Sequence, residues 1–117
     1  MKINLRQNKY KNRKVIINNI EFQSLAEGKR YKELVLLQRA GRITELQLQP
    51  KFLLQESFRK NGKTFRKIEY IADFMYEENN KIIVEDVKGK ETEVFKLKRK
   101  LFEKKYPELE VRIIKMK

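Results

Sequence analysis

Residues 70–88 read YIADFMYEENNKIIVEDVK. Two strand-like runs, 68–76 and 81–88, flank Asn79-Asn80, and asparagine is one of the few residues that tolerates the left-handed backbone of a tight hairpin turn. Counting outward from that turn pairs Glu78 with Lys81 and brings Asp73 opposite Asp86. Like charges placed directly across a strand pair destabilise it, so such a pair implies something positive between them. A divalent cation with oxygen ligands, magnesium or its substitute manganese, is the plainest candidate. Side chains alternate faces along a strand, so Val84, Asp86 and Lys88 share one face. Glu85 falls on the other face with Ile83 and Val87, and is set aside as a rival ligand. An ammonium one step from a carboxylate pair and its metal suits phosphodiester hydrolysis, because the metal activates water and the lysine stabilises developing charge. The plain alternative is an exposed hairpin with scattered charges and a surface salt bridge.

The chain has 117 residues, enough for one domain with a modest core. Its formal net charge of +13 points to a polyanionic partner, nucleic acid before an anionic membrane surface. No apolar run approaches the roughly 20 residues of a membrane span, and the first residues lack the apolar core of a signal peptide. Cysteine and histidine are both absent. Disulfides, thiolate zinc sites, histidine-ligated metals and Ser-His-Asp or Cys-His catalysis are therefore excluded. Any chemistry must come from carboxylates, lysines, hydroxyls and hard metal ions.

Residues 1–14 carry six Lys/Arg and no acid, which reads as a basic N-terminal arm that engages phosphate through Lys9, Lys11, Arg13 and Lys14. A single domain over 15–117 follows. Asn18-Asn19 between Val15-Ile-Ile and Ile20-Glu-Phe predicts a first hairpin. Ser24 and Glu27 have the spacing of a helix capping box, Leu34, Leu37 and Ala40 supply apolar positions, and Gly41 is a stop. Short strands are expected around Ile43–Leu48 and from Phe52, with Pro50 between them. Phe58 to Arg66 holds Asn61-Gly62 and reads as a hairpin tip bearing Arg59, Lys60 and Lys63. A helix over 92–105 shows Val94, Leu97 and Leu101 at helical spacing beside Phe95 and Phe102. Its other face holds Lys96, Lys98, Arg99 and Lys100, placed for DNA backbone contact. A last strand alternates through Leu109, Val111 and Ile113. Run parallel to its predecessor, it makes the helix a crossover. The order is that of an α/β (α+β) fold, a mixed β-sheet flanked by helices.

Asp73 in Tyr-Ile-Ala-Asp-Phe, followed by Asp86-Val-Lys88 ahead of Gly89, resembles the PD-(D/E)XK nuclease motif. The segments from Ser24 to Leu34 and from Leu46 to Phe52 also fit. Together they are similar to a family of short phage-encoded proteins of unknown function, placed in the restriction-endonuclease-like superfamily beside Holliday junction resolvases. The likeness runs from about Asn8 to Val111. It implies a restriction-endonuclease-like core and a metal-dependent DNA nuclease, with Asp73 and Asp86 as metal ligands, Lys88 as catalytic lysine and Glu27 as a helical acid binding metal directly or through water. Gln49 falls in the Leu-Gln-Pro segment and is a further candidate for the site. The motif's usual proline before the first Asp is replaced by Ala72.

The expected function is then a magnesium-dependent endonuclease on branched DNA, such as a phage Holliday junction resolvase. It would act in the cytoplasm of an infected bacterial host, as a twofold homodimer because a four-way junction offers two symmetric strands. The alternatives are a nicking or fork nuclease with the same chemistry, and a non-catalytic basic DNA-binding module. In the last case Glu27 is only a capping residue and the hairpin carboxylates are structural.

Overall fold

Paired residues in the left-handed region set three strand registers. Asn18-Asn19, Asn61-Gly62 and Asn79-Asn80 all have positive φ, between 52° and 73°, which is the requirement of a two-residue turn matched to strand twist. In the computed structural model, which describes residues 14–115, they close hairpins β1 (Val15–Ile17) with β2 (Ile20–Phe22), β5 (Phe58–Lys60) with β6 (Lys63–Phe65), and β8 (Phe74–Glu78) with β9 (Lys81–Lys88). The remaining elements are α1 (Leu25–Arg39), β3 (Thr44–Leu48), β4 (Lys51–Gln55), β7 (Ile68–Ile71), α2 (Glu93–Lys105) and β10 (Glu110–Lys115). The fold is mixed α+β. No helix among the described residues is long and apolar enough to cross a membrane. Lys9, Lys11 and Arg13 lie outside the described residues.

The central sheet has the order β10-β9-β8-β3, antiparallel except for the parallel β9–β10 pair. Helix α2 is thus the crossover between parallel strands. Five consecutive residues of β9, Ile83 to Val87, are buried, the pattern of a strand covered on both faces. One face packs Phe74, Tyr76, Ile83 and Val87 against Leu34 of α1 and Phe22 of the first hairpin. The other packs Val84 against Phe95 and Phe102 of α2 and against Phe52 and Tyr70 of the β4–β7 ribbon.

Two sequence expectations change. The run 68–76 is not one strand: β7 pairs with β4 and β8 with β3, and the chain bends at Ala72-Asp73 between them. The cause lies on the facing strand. Gln49 adopts φ of 48° and Pro50 has no N–H, so the ladder breaks there and is bridged by Gln49 N–H to the Asp73 carbonyl (2.9 Å) and Ala72 N–H to the Pro50 carbonyl (3.1 Å). The second change is the buried side of α2. Phe95 and Phe102 face the sheet, while Val94, Leu97 and Leu101 are exposed. Phe102 meets Phe52 edge-on at 4.9 Å, Tyr70 at 5.2 Å and Tyr106 at 5.2 Å. The larger aromatic area outweighs the aliphatic stripe.

Helix α1 begins as its sequence predicts. The Ser24 hydroxyl accepts from the Glu27 amide at 3.2 Å. It ends in a Schellman turn, with Gly41 at φ of 76° and the Arg42 amide on the Leu37 carbonyl at 2.9 Å. Gly28 sits beneath the first hairpin: a Cβ there would lie 2.8 Å from Ile17 Cδ1 and 2.8 Å from Val15 Cγ2. Replacing an interior helical glycine by alanine ordinarily stabilises by about 1 kcal/mol. Here overpacking reverses the sign, and Gly28→Ala is expected to lower stability by about 1 kcal/mol net. Thermal unfolding checks this, and a raised midpoint would show that the hairpin does not rest on the helix.

Candidate active site

The bend at Ala72-Asp73 delivers Asp73 to the end of β9. Its Oδ2 accepts from the Val87 amide at 2.7 Å, and the registered pairs Phe74↔Glu85 to Glu78↔Lys81 extend to set Asp73 beside Asp86. The expected register holds. Asp86 is 1% exposed, and its Oδ2 accepts a hydrogen bond from the Tyr70 hydroxyl. The Lys88 ammonium stands 3.9 Å from the other oxygen, Oδ1. It also stands 4.5 Å from the centre of the Phe95 ring. Asp73, Asp86 and Lys88 therefore meet at one end of the β8–β9 pair.

Glu27 reaches the same place from the other layer. It lines a shallow cleft with Gln49, Asp73, Phe22 and Leu48. Burial, and then the charge of Asp73, raise its carboxyl to about 7, against the lowering influence of the Gln23 amide and Lys88. Burial likewise raises Asp86 to about 7. The Tyr70 hydrogen bond opposes that rise, and Asp73, within hydrogen-bonding reach, adds to it. Glu27 is at once the third residue of the helix and a member of this acidic group. Gln49 is exposed at the cleft, its backbone held in the left-handed region that costs a non-glycine residue energy. Among the described residues, no three acidic side chains stand in an arrangement that by itself would hold a metal ion. Asp73 stands beside Asp86, and Glu27 is close enough to feel the charge of Asp73.

Glu85, next to Asp86, has a different fate. Its carboxylate is fully buried against Arg30, with Nε–Oε1 at 2.7 Å and Nη2–Oε2 at 2.9 Å, and accepts from the Tyr76 hydroxyl at 2.6 Å. This ion pair locks α1 onto β9 one turn after Glu27. Every lone pair of Glu85 that matters is engaged by protein, so it offers nothing to a ligand.

The cations expected to contact DNA separate into three groups. Lys14 is exposed ahead of β1. Arg59, Lys60 and Lys63 are exposed on the β5–β6 hairpin, where Arg59 braces the turn through Thr64 Oγ1 (3.1 Å) and the Gly62 carbonyl (3.3 Å). Phe58 stacks on Phe65 in the same hairpin at 4.9 Å and 10°. On α2, Lys96 pairs with Glu93 (3.5 Å) and Arg99 with Glu103 (3.4 Å), while Lys98 is half-buried and Lys100 exposed.

Tyr70 and Phe95 were not singled out by sequence reasoning as partners of the site. The local signal was that Tyr70 lies three residues before Asp73 and Phe95 falls in the first turn of the helix after Lys88. Both contacts are made across sheets and layers.

A buried acid raised to about 7 holds a proton that the unfolded chain, with carboxyls near 4, has already lost. Between those values stability falls as pH rises, and the loss is complete above the folded value. Asp86→Asn removes that loss at its site. In a chelator-containing buffer the variant's thermal midpoint is expected to gain on wild type from pH 5 to pH 8. A constant difference across that range would show that Asp86 is not strained in its ionised form.

Comparison with curated proteins gives no match, and comparison with solved structures gives none. One family model, described as a protein of unknown function (DUF1064), matches residues 7–117. With nearly its whole length covered, the chain belongs to the DUF1064 family.

Proposed function

We propose that this protein is a metal-dependent DNA endonuclease with a restriction-endonuclease-like core, acting on branched DNA such as a four-way junction. The observation that carries this reading is the buried Asp86 carboxyl beside Asp73, with the Lys88 ammonium 3.9 Å from Asp86. An acid pair with a purely structural role would be neutralised as Glu85 is by Arg30. This pair is left with a single, more distant cation.

The donor set fits magnesium or manganese in kind. It offers hard carboxylate oxygens from two adjacent strands, and magnesium is commonly held by one or two carboxylates while keeping several waters. Asp73 and Asp86 would be the direct ligands, with Glu27 joining directly or through water. When bound, the ion polarises the phosphoryl group and lowers the pKa of water. Lys88 stabilises charge that develops on the phosphate or orients the attacking water. Gln49 supplies a neutral donor and acceptor at the cleft edge.

Charge supports the substrate class. Lys14, the hairpin cations Arg59, Lys60 and Lys63, and Lys96, Lys98, Arg99 and Lys100 on the helix that follows Lys88 give a surface for phosphates. Such contacts track the backbone without reading base edges. Two symmetric cuts in a four-way junction call for two sites, hence a twofold homodimer. The lack of a preformed three-acid cluster among the described residues favours one rival, a DNA-binding module without catalysis.

A panel of labelled duplex, flap, fork and four-way substrates with magnesium or manganese separates them. Wild type is expected to cleave, with branched substrates preferred. Asp86→Ala and Lys88→Ala are expected to lose at least about a hundredfold in rate while DNA binding is kept. If no substrate is cut under any metal condition, the enzyme reading is lost and the binding module stands. Affinity should also fall with salt, by about 0.9 log units per log unit of salt for each phosphate neutralised. A flat response would remove the basic surfaces from the contact.

A further inference from the structure

We propose that Tyr70 and Phe95 are positioning residues for this site, Tyr70 fixing which oxygen of Asp86 is left for Lys88 and Phe95 holding the Lys88 ammonium beside it. This goes deeper into the nuclease reading above and rests on it. Tyr70 is 3% exposed. Its ring is wedged between Phe52, stacked at 6.2 Å, Phe102, edge-on at 5.2 Å, and Phe95 at 6.1 Å. A ring so confined cannot swing, so its hydroxyl is a fixed donor. That donor engages Asp86 Oδ2. On Asp73 the fixed donor is the Val87 amide, which takes Oδ2. Each acid thus has one oxygen tied to the protein and one left over, and the remaining Asp86 oxygen is the one that Lys88 approaches. Two untethered carboxylates would rotate apart under their own repulsion. The ties fix both side chains before any cation arrives, which is what pre-organisation of ligands by outer partners requires.

Phe95 does the equivalent for the amine. Its place is set by the start of α2, where Thr92 Oγ1 accepts from the Phe95 amide at 3.1 Å. The Lys88 ammonium then lies over the ring at 4.5 Å from its centre, and 3.9 Å from Asp86 Oδ1. A ring face attracts a cation through its quadrupole and takes up its protons only in weak N–H···π contacts. Lysine held this way keeps its donors free for a phosphate, whereas a second carboxylate in that position would occupy them. Neither aromatic residue reaches the cleft itself.

The two roles separate experimentally. Tyr70→Phe keeps the ring and deletes the donor. Calorimetric titration with manganese is expected to show affinity weakened by roughly 10- to 100-fold, with the thermal midpoint in chelator somewhat below wild type because Asp86 loses its buried donor. Phe95→Leu is expected to leave manganese affinity within about twofold. It should erase the upfield ring-current shift of the Lys88 side-chain methylene protons in NMR spectra and lower the cleavage rate at unchanged KM. Phe95→Met serves if the leucine variant does not fold. Wild-type manganese affinity in Tyr70→Phe overturns the role of Tyr70. Unshifted Lys88 methylene protons in the wild-type protein overturn that of Phe95. Wild type that binds no manganese or magnesium overturns the nuclease reading itself, and this inference with it.

Discussion

Strand β9 carries Glu85 and Asp86 side by side, and because successive residues of a strand face opposite ways, each acid is buried in a different core. Burying one ionised carboxylate is costly unless it is paired and hydrogen-bonded. Burying two in adjacent positions makes their compensation the constraint around which both layers are arranged. On the α1 side the solution is complete: a bidentate guanidinium and a tyrosine hydroxyl satisfy Glu85. On the α2 side it is partial, since Asp86 has one tyrosine hydroxyl, an ammonium at 3.9 Å and a second acid close by. The contrast between the two neighbours distinguishes an acid fully compensated by the fold from one compensated only in part.

The incomplete side also depends on the complete one. Arg30 lies three residues after Glu27, so the ion pair that fastens α1 to β9 also fixes how deeply Glu27 projects toward Asp73. Breaking a buried pair of this kind leaves an uncompensated charge, and the penalty is of the order of several kcal/mol. The residues that fasten the helix to the strand, Arg30 and Glu85, are thus distinct from the acids grouped beside them, Glu27 and Asp86, although both sets share α1 and β9. The same division appears at the bend. Gln49 holds a strained backbone, and what that strain supports is the displacement of Asp73 out of a regular ladder and onto the Val87 amide.

Much of this was legible in the sequence, and the reasons for the remainder are physical. Turn chemistry is local, so Asn79-Asn80 gave the register that sets Asp73 by Asp86, and Ser24 marked the start of α1. Period two correctly sent Glu85 and Asp86 to opposite faces. The break at Ala72-Asp73 was hidden because its cause sits on the facing strand, at Gln49-Pro50. The buried side of α2 was hidden because two helical stripes compete: aliphatic spacing favoured Val94, Leu97 and Leu101, and only the tertiary partners Phe52, Tyr70 and Tyr106 make the aromatic stripe the better one to bury. Tyr70 and Phe95 act on Asp86 and Lys88 through contacts between layers, which no spacing along one element encodes. Glu27 was legible as the third residue of the capping box, its amide on the Ser24 hydroxyl, while its side chain lines the cleft beside Asp73.

Because β9 is buried on both faces, oil-and-water patterning does little to fix its alignment with β8. A slip of one residue would still bury apolar side chains on either side. It would, however, exchange the two acids, setting Glu85 toward Tyr70 and Lys88 and Asp86 toward the arginine built for a longer reach. The two-asparagine turn that precludes this slip is far from the cleft and touches none of it. It is nonetheless the chain's proofreader, deciding which carboxylate is spent on architecture and which is left at liberty.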